Sequence, residues 1–520
     1  MNGPGPRRSL TGARGLRAGR SRRTSLGALA LTGASALRLG LQFLLLPILA
    51  RLIGPADYGL VALAMPVILF ANVVADGGMS NALGRRAEAS RALESTIFWL
   101  AGGVGLALTL IVCALAWPMG ALLHQPRLPA ILAALSPILL MNGLTAASNG
   151  RIIREGRFAA FAAGDLMSSL AGAAVAVAAA FAGLGAWSLV AQQLTLWVCK
   201  LGWVSFAGGV RPTLAFRWRE ASGLARFGAH TIGATLADFV SRNIDNLIVG
   251  GVLGATALGF YAMAYQVIRA PDMLISGPAY LYIFTAVARV ANEAKPAALQ
   301  NLAVSALRLG AAAFAPLFLG LTLTADLTVP VLLGPKWGGA VVPLQWLAGA
   351  GFFFSMCAIM ATTLMGLGRT ALQLRLGLVL GGATVVLVAA AAPFGIVAVS
   401  AALAVGIGAV CGLYVVQLAR GLAMSPLRLL AAFAPAALGC AAMTIALTAL
   451  RFVLTDVDTL AELALLVGAG AAVYAAVIWI TSWRRLLRDA AAFANAQDDQ
   501  PPTPAEISDP LTAMTFGEVV

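Results

Sequence analysis

Apolar stretches long enough to cross a lipid bilayer recur along the chain, at about 26–52, 58–83, 95–117, 128–148, 160–182, 186–207, 224–251, 257–287, 299–333, 338–365, 370–392, 395–420, 427–450 and 459–482. A membrane-spanning helix needs about 20 apolar residues, and each stretch reaches that length. The pattern predicts an all-α integral membrane protein of about 14 transmembrane helices. The breaks between them are short, which leaves no room for a catalytic domain.

Composition agrees. Of 520 residues, 60% are hydrophobic and only 11% charged, with a mean hydropathy of +0.88. Soluble domains carry about 25% charge, so a soluble reading is excluded. The net charge of +14 does not indicate nucleic acid, because no basic face interleaved with exposed aromatics accompanies it. The five cysteines lie apart inside apolar runs and the only histidines are His124 and His230. Neither a disulfide framework, a metal site nor a cofactor is expected.

The charge reports topology instead. An even number of spans puts both termini on one side. The N-terminal tail and the alternate loops that share its side hold 24 Lys and Arg, among them Arg85, Arg86, Arg91, Arg151, Arg154, Arg157, Arg211, Arg217, Arg219, Arg289, Lys295, Arg369, Arg420 and Arg428. The opposite loops hold only Arg127, Lys336 and Arg451. Cytoplasmic loops carry the cationic excess, so both termini are expected in the cytoplasm.

An internal repeat organises the spans. The segment 53–64, with Gly54, Gly59, Ala62 and Ala64, is mirrored by 253–264, with Gly254, Gly259, Ala262 and Ala264. Gly156-Arg157 is echoed by Gly368-Arg369, and Gly185 by Gly395. Each echo pairs a span with the one six later, so the copies are parallel and a substrate site is expected between them. The expected organisation is a basic cytoplasmic tail (1–25), an N-terminal six-helix lobe (26–207), a cytoplasmic linker (208–223), a C-terminal six-helix lobe (224–420), two additional spans (427–482) facing lipid or a partner, and a disordered tail (483–520).

The repeat residues also carry a resemblance. Leu49-Ala50-Arg51-Leu52-Ile53-Gly54-Pro55-Ala56-Asp57-Tyr58-Gly59 and the segment from Asn243 to Tyr261 resemble the first-to-second and seventh-to-eighth helix junctions of oligosaccharide flippases in the multidrug/oligosaccharidyl-lipid/polysaccharide exporter superfamily, closest to the colanic-acid exporter branch. Arg157-Phe158 and Trp187-Ser188-Leu189-Val190 are smaller matches. The resemblance implies two parallel six-helix bundles around a central cavity, worked by alternating access. It also implies a bacterial inner-membrane flippase for a polyprenyl-diphosphate-linked oligosaccharide. Partners would be membrane lipids and the polysaccharide polymerase and export machinery, with no nucleic acid.

Charges within spans are costly and mark candidate sites. Arg38, Arg242 and Arg269 fall near the middle of their spans and Arg308 near a cytoplasmic end, which makes these four the candidate substrate-binding residues for an anionic headgroup. A diphosphate leaves water only when two or more cationic groups replace its hydration. Asp238 and Asp245 stack with Arg242 on one helix face and are the candidate ion-coupling residues. Arg38 has no acid one turn away, and the repeat offers Asp238 as its partner. Asp165 reads as an interface residue, and Asp326 as a cation ligand or headgroup contact.

Two other classes compete. A multidrug exporter of the same fold would need cavity acids without competing arginines, which Arg38 opposes. A membrane enzyme of polysaccharide assembly would need an exposed loop with carboxylates or histidines, and the outer segments are too short to supply one. The chain is therefore expected to be a transporter without catalytic residues.

Overall fold

The computed structural model describes residues 33, 37, 38, 40–84, 86, 89–213, 218–292, 295–454 and 458–495, with the side chains of 218–242, 270, 271 and 274–278 excepted. The basic tail 1–25 and residues 496–520 lie outside the described residues.

The described chain is helical: α1 (Gly40–Leu52), α2 (Pro55–Asp76), α3 (Met79–Gly84), α4 (Arg91–Leu122), α5 (Leu128–Leu135), α6 (Pro137–Arg154), α7 (Phe158–Phe181), α8 (Ala186–Gly208), α9 (Trp218–Asn292), α10 (Pro296–Leu332), α11 (Val341–Gly366), α12 (Thr370–Ala391), α13 (Ile396–Gly421), α14 (Pro426–Leu430), α15 (Ala434–Val453) and α16 (Thr459–Asn495). Among the described residues, 11 helices are long and apolar enough to cross a membrane, with α1 a shorter apolar helix before them. The 23-residue α8 is as long but more polar, because it carries Gln192, Gln193 and Lys200. This is the all-α architecture of a multi-pass membrane protein.

Backbone angles carry the repeat. Gly156 and Gly368 both sit at positive φ, 66° and 72°, where an L side chain is strained. The residues after them, Arg157 and Arg369, share near-identical angles, φ −84° and −87° with ψ 48° in both. Their amides bond back to Ile152 and Leu364, both at 3.0 Å, closing the preceding helix in the same way in each copy. Gly185 and Gly395 likewise both take positive φ before α8 and α13. Gly254 alone breaks α9, with φ 83° and ψ 173°, and so separates two spans that otherwise run as one helix.

The chain forms two compact units. The first holds residues up to Ile53 together with Ala64–Phe239, and the second holds Gly54–Leu63 and everything from Val240. The expected linker was 208–223, whereas the boundary falls inside α9. In the first unit α4 packs on α6, and α7 and α6 pack on α8. Small residues set these contacts, since a Cβ on Gly105 would strike Leu139 and one on Gly143 would strike Ala101. Close backbone approach of this kind drives helix association where lipid removes the hydrophobic force. At the start of α4, Ser90 caps the helix by accepting from the Leu93 amide at 3.1 Å. Buried Glu94 then accepts from Arg154 of α6 at 2.8 Å, with Arg151 at 3.7 Å. Arg151 also donates to Glu155 at 2.8 Å, and this hydrogen bond holds the Glu155 carboxyl below the usual carboxylate range.

In the second unit α11 packs on α10 and α13, and α15 and α16 pack on α10 through Met443, Leu447, Leu466, Tyr474 and Ile478. The last two spans are thus anchored on one face, while Leu438, Ile445 and Val467 on the other are exposed. The expectation of disorder from residue 483 is corrected: α16 continues to Asn495 and buries Ser482, Leu486, Asp489 and Phe493 at helical spacing. That apolar-and-polar stripe is short and was masked by the surrounding arginines.

Candidate functional site

The first unit gathers three charges among its apolar helices. Asp165 lies seven residues into α7, about 10 Å along the helix axis. Lys200 lies eight residues before the end of antiparallel α8, at a similar depth. Arg38 Nη1 donates to one Asp165 oxygen at 2.6 Å, and Lys200 Nζ stands 3.4 Å from the other. The side chains are 18%, 23% and 6% exposed for Arg38, Asp165 and Lys200. The Lys200 ammonium also faces the rings of Trp197 at 5.1 Å and Phe161 at 5.8 Å, so aromatic faces supplement its hydration.

One carboxylate therefore meets two cations. The partner of Arg38 is Asp165 of its own unit, where the repeat had suggested Asp238. Asp165, read from the sequence as an interface residue, is the acid of this ion-paired cluster. Lys200 escaped the sequence reading, although a lysine three residues after Trp197 in a central span was a visible signal.

In the second unit the acid Asp245 is 5% exposed. The Tyr261 hydroxyl, across the Gly254 break, donates to its Oδ2 at 3.0 Å, and the Asn246 amide donates to Oδ1 at 2.9 Å. Tyr265 stacks edge-on against Tyr261 with ring centroids 5.1 Å apart. Arg269 acts electrostatically on Asp245, Tyr265 and Tyr58, while Asp272 accepts from Ser355 of α11 at 2.8 Å. The side chains of Asp238 and Arg242 lie outside the described residues.

Arg308 does not stand alone. Asp489 of α16 accepts from its Nη1 at 2.7 Å and from the Ser305 hydroxyl at 2.7 Å. Sequence spacing could not reveal an acid 181 positions away. Near the end of α10 Asp326 pairs with Arg451 at 2.7 Å, where the sequence reading expected a cation or headgroup contact. Among the described residues no three His, Cys, Asp or Glu gather as a metal site.

Comparisons with known proteins follow the same lines. A family model described as "Polysaccharide biosynthesis protein" matches residues 48–342. Succinoglycan biosynthesis transport protein ExoT of Rhizobium meliloti (strain 1021) is 25% identical over 332 residues, 64% of this chain and 67% of that protein. Lipopolysaccharide biosynthesis protein WzxC of Escherichia coli (strain K12) is 25% identical over 342 residues, 65% of this chain and 68% of that protein. In fold, the chain is similar to the inward closed conformation of the lipid II flippase MurJ, with a TM-score of 0.68 at 12% identity, covering 88% of this chain and 100% of that one. It is also similar to an inward-facing multidrug transporter of the MATE family, with a TM-score of 0.59 at 15% identity, covering 75% and 94%.

Proposed function

The chain belongs to the polysaccharide biosynthesis protein family, and from that premise we propose that it flips a polyprenyl-diphosphate-linked oligosaccharide across the bacterial inner membrane by alternating access. Both termini face the cytoplasm, in keeping with 24 cations on that side against 3 on the other. The translocated intermediate then passes to polymerase and export machinery at the outer face. Relatives and fold neighbours that are transporters support a non-enzymatic role.

The observation that carries this reading is the Arg38–Asp165–Lys200 cluster. A guanidinium and an ammonium sharing one carboxylate form a site poised for an anion of higher charge. At rest the two cations share the Asp165 carboxylate, which limits the cost of holding them in the membrane. A diphosphate presents more acceptor oxygens and more negative charge than one carboxylate, so it competes for both cations once it reaches them. Arg38 supplies the forked donor geometry and Lys200 a compact point charge. Arg242 and Arg269 are further proposed substrate-binding residues. Asp238 and Asp245 are the proposed ion-coupling acids.

The test is flipping of a lipid-linked oligosaccharide in proteoliposomes. Arg38→Ala is expected to abolish flipping at wild-type protein levels, and Arg38→Lys to retain part of it. Unchanged flipping in Arg38→Ala would overturn the assignment.

A further inference from the structure

We propose that the cavity where α10, α14 and the cytoplasmic end of α16 meet seats the phosphate of an anionic phospholipid from the inner leaflet, as a resident ligand separate from the transported cargo. The cavity measures about 240 Å³ and is lined by Asn301, Ser305, Arg308, Arg428 and Asp489 among others.

Its depth in the membrane follows from α16. A helix of 37 residues is about 55 Å long, far more than the ~30 Å hydrocarbon core. Trp479 and Trp483 stack with centroids 4.7 Å apart, and both are exposed, at 63% and 39%. Paired exposed tryptophans mark the level where hydrocarbon meets headgroups. Arg484, Arg485 and Arg488 follow directly, and Asp489 is on the next turn. The cavity is therefore level with the lipid phosphates of the cytoplasmic leaflet.

Its chemistry selects a single negative charge. Asp489 and Ser305 engage Arg308, so that pair is neutral. Arg428 is held only by amide oxygens, Gln300 at 3.2 Å and Asn301 at 2.9 Å, and among the described residues no carboxylate compensates it. One net positive charge remains on the cavity wall. Arg308 keeps N–H groups beyond the one given to Asp489, and the Asn301 amide nitrogen is left to donate. A phosphodiester monoanion matches one uncompensated guanidinium with flanking neutral donors. Unlike the carboxylate shared by Arg38 and Lys200, Asp489 is engaged by one of the two cations only and is fixed by Ser305, so this cavity offers a ligand a single unpaired guanidinium. A bound headgroup would also bridge α10 to α16 and hold the last span in place.

The experiment titrates the purified full chain in a neutral detergent with phosphatidylglycerol, with phosphatidylcholine and with inorganic phosphate, following the thermal unfolding midpoint and lipid-bound species by native mass spectrometry. Phosphatidylglycerol is expected to raise the midpoint and co-migrate with the protein, while the other two do neither. Arg428→Gln is expected to weaken phosphatidylglycerol about tenfold, the loss of one charge-assisted contact. Arg428→Lys should restore part of that loss, Asn301→Ala should weaken binding less, and Arg484→Gln, which does not line the cavity, should leave it unchanged. Equal binding by wild type and Arg428→Gln would overturn the site. An equal effect of inorganic phosphate would assign the cavity to a soluble anion, and displacement of phosphatidylglycerol by a stoichiometric polyprenyl diphosphate would assign it to the cargo. Either result overturns the proposal while leaving the flippase reading intact.

Discussion

Gly59 and Gly259 each lie against the backbone of the other's motif, in contact too close for any side chain. A Cβ on Gly59 would fall on the carbonyl oxygen of Ala255, and a Cβ on Gly259 on the carbonyl oxygen of Pro55. Positions 55 and 255, like 59 and 259, stand at the same offset in the repeat, so the contact is symmetric. Around it, buried Trp337 meets Tyr58 and Phe260 edge-on, with centroids 5.8 and 6.2 Å away. The two copies of the sequence motif thus recognise each other through their backbones, which is why both require glycine at this position.

Substitution there should be severe. Gly59→Ala and Gly259→Ala each force backbone apart, and overpacking of a closed contact costs about 1–3 kcal/mol. Gly103 of α4 has no atom within 4 Å of a built Cβ, so Gly103→Ala serves as the control. Thermal unfolding in detergent should show marked losses for the first two and none for the third.

The buried pair Glu94–Arg154 supports a second prediction. Removing one partner strands a buried charge, a loss of about 3–5 kcal/mol, whereas replacing both with apolar groups is close to neutral. Glu94→Leu and Arg154→Met should each lower the unfolding midpoint and the folded yield. The double variant Glu94→Leu with Arg154→Met should recover most of the loss. Additive losses in this cycle would show that the two residues act independently.

The spans, the repeat and the charge asymmetry were legible because each is written locally, in a window of about 20 residues or at a fixed offset. The pairing of charges was not. Spacing rules reach only neighbours on the same helix, so the search beside Arg38 found no acid, and the repeat pointed to Asp238 while the carboxylate that meets it is Asp165, 127 residues on. The same limit hid Asp489 from Arg308. Lys200 was overlooked for a different reason: its ammonium is accommodated by Trp197 and Phe161, a contact that looks in sequence like ordinary apolar packing.

Topology is open to direct labelling. In a background lacking the native cysteines, needed because Cys113 is exposed, Ala182→Cys lies in the exposed turn between α7 and α8, and Arg91→Cys at the exposed start of α4. An impermeant thiol reagent added to intact cells should modify position 182 and spare position 91. Reaction at position 91 from outside would reverse the orientation drawn from the cationic loops.

The last prediction concerns Asp245. Its carboxylate is buried, with Oδ2 accepting from the Tyr261 hydroxyl and Oδ1 from the Asn246 amide; an asparagine side chain can keep the second bond through its oxygen and reverse the first, its amide nitrogen donating to the Tyr261 hydroxyl oxygen. Asp245→Asn therefore removes the charge with little change in packing. Tyr261→Phe does the reverse, since it keeps the charge and deletes one donor to a buried acceptor, at about 1–3 kcal/mol. If Asp245 couples transport to an ion, Asp245→Asn should keep a near-wild-type unfolding midpoint while its flipping rate stops responding to an imposed pH or Na⁺ gradient. Tyr261→Phe should lower the midpoint and retain the gradient response. The measurement is flipping in proteoliposomes at matched protein levels, with and without the gradient. A wild-type rate indifferent to both gradients would remove the coupling role and leave Asp245 as a brace between the two halves of α9.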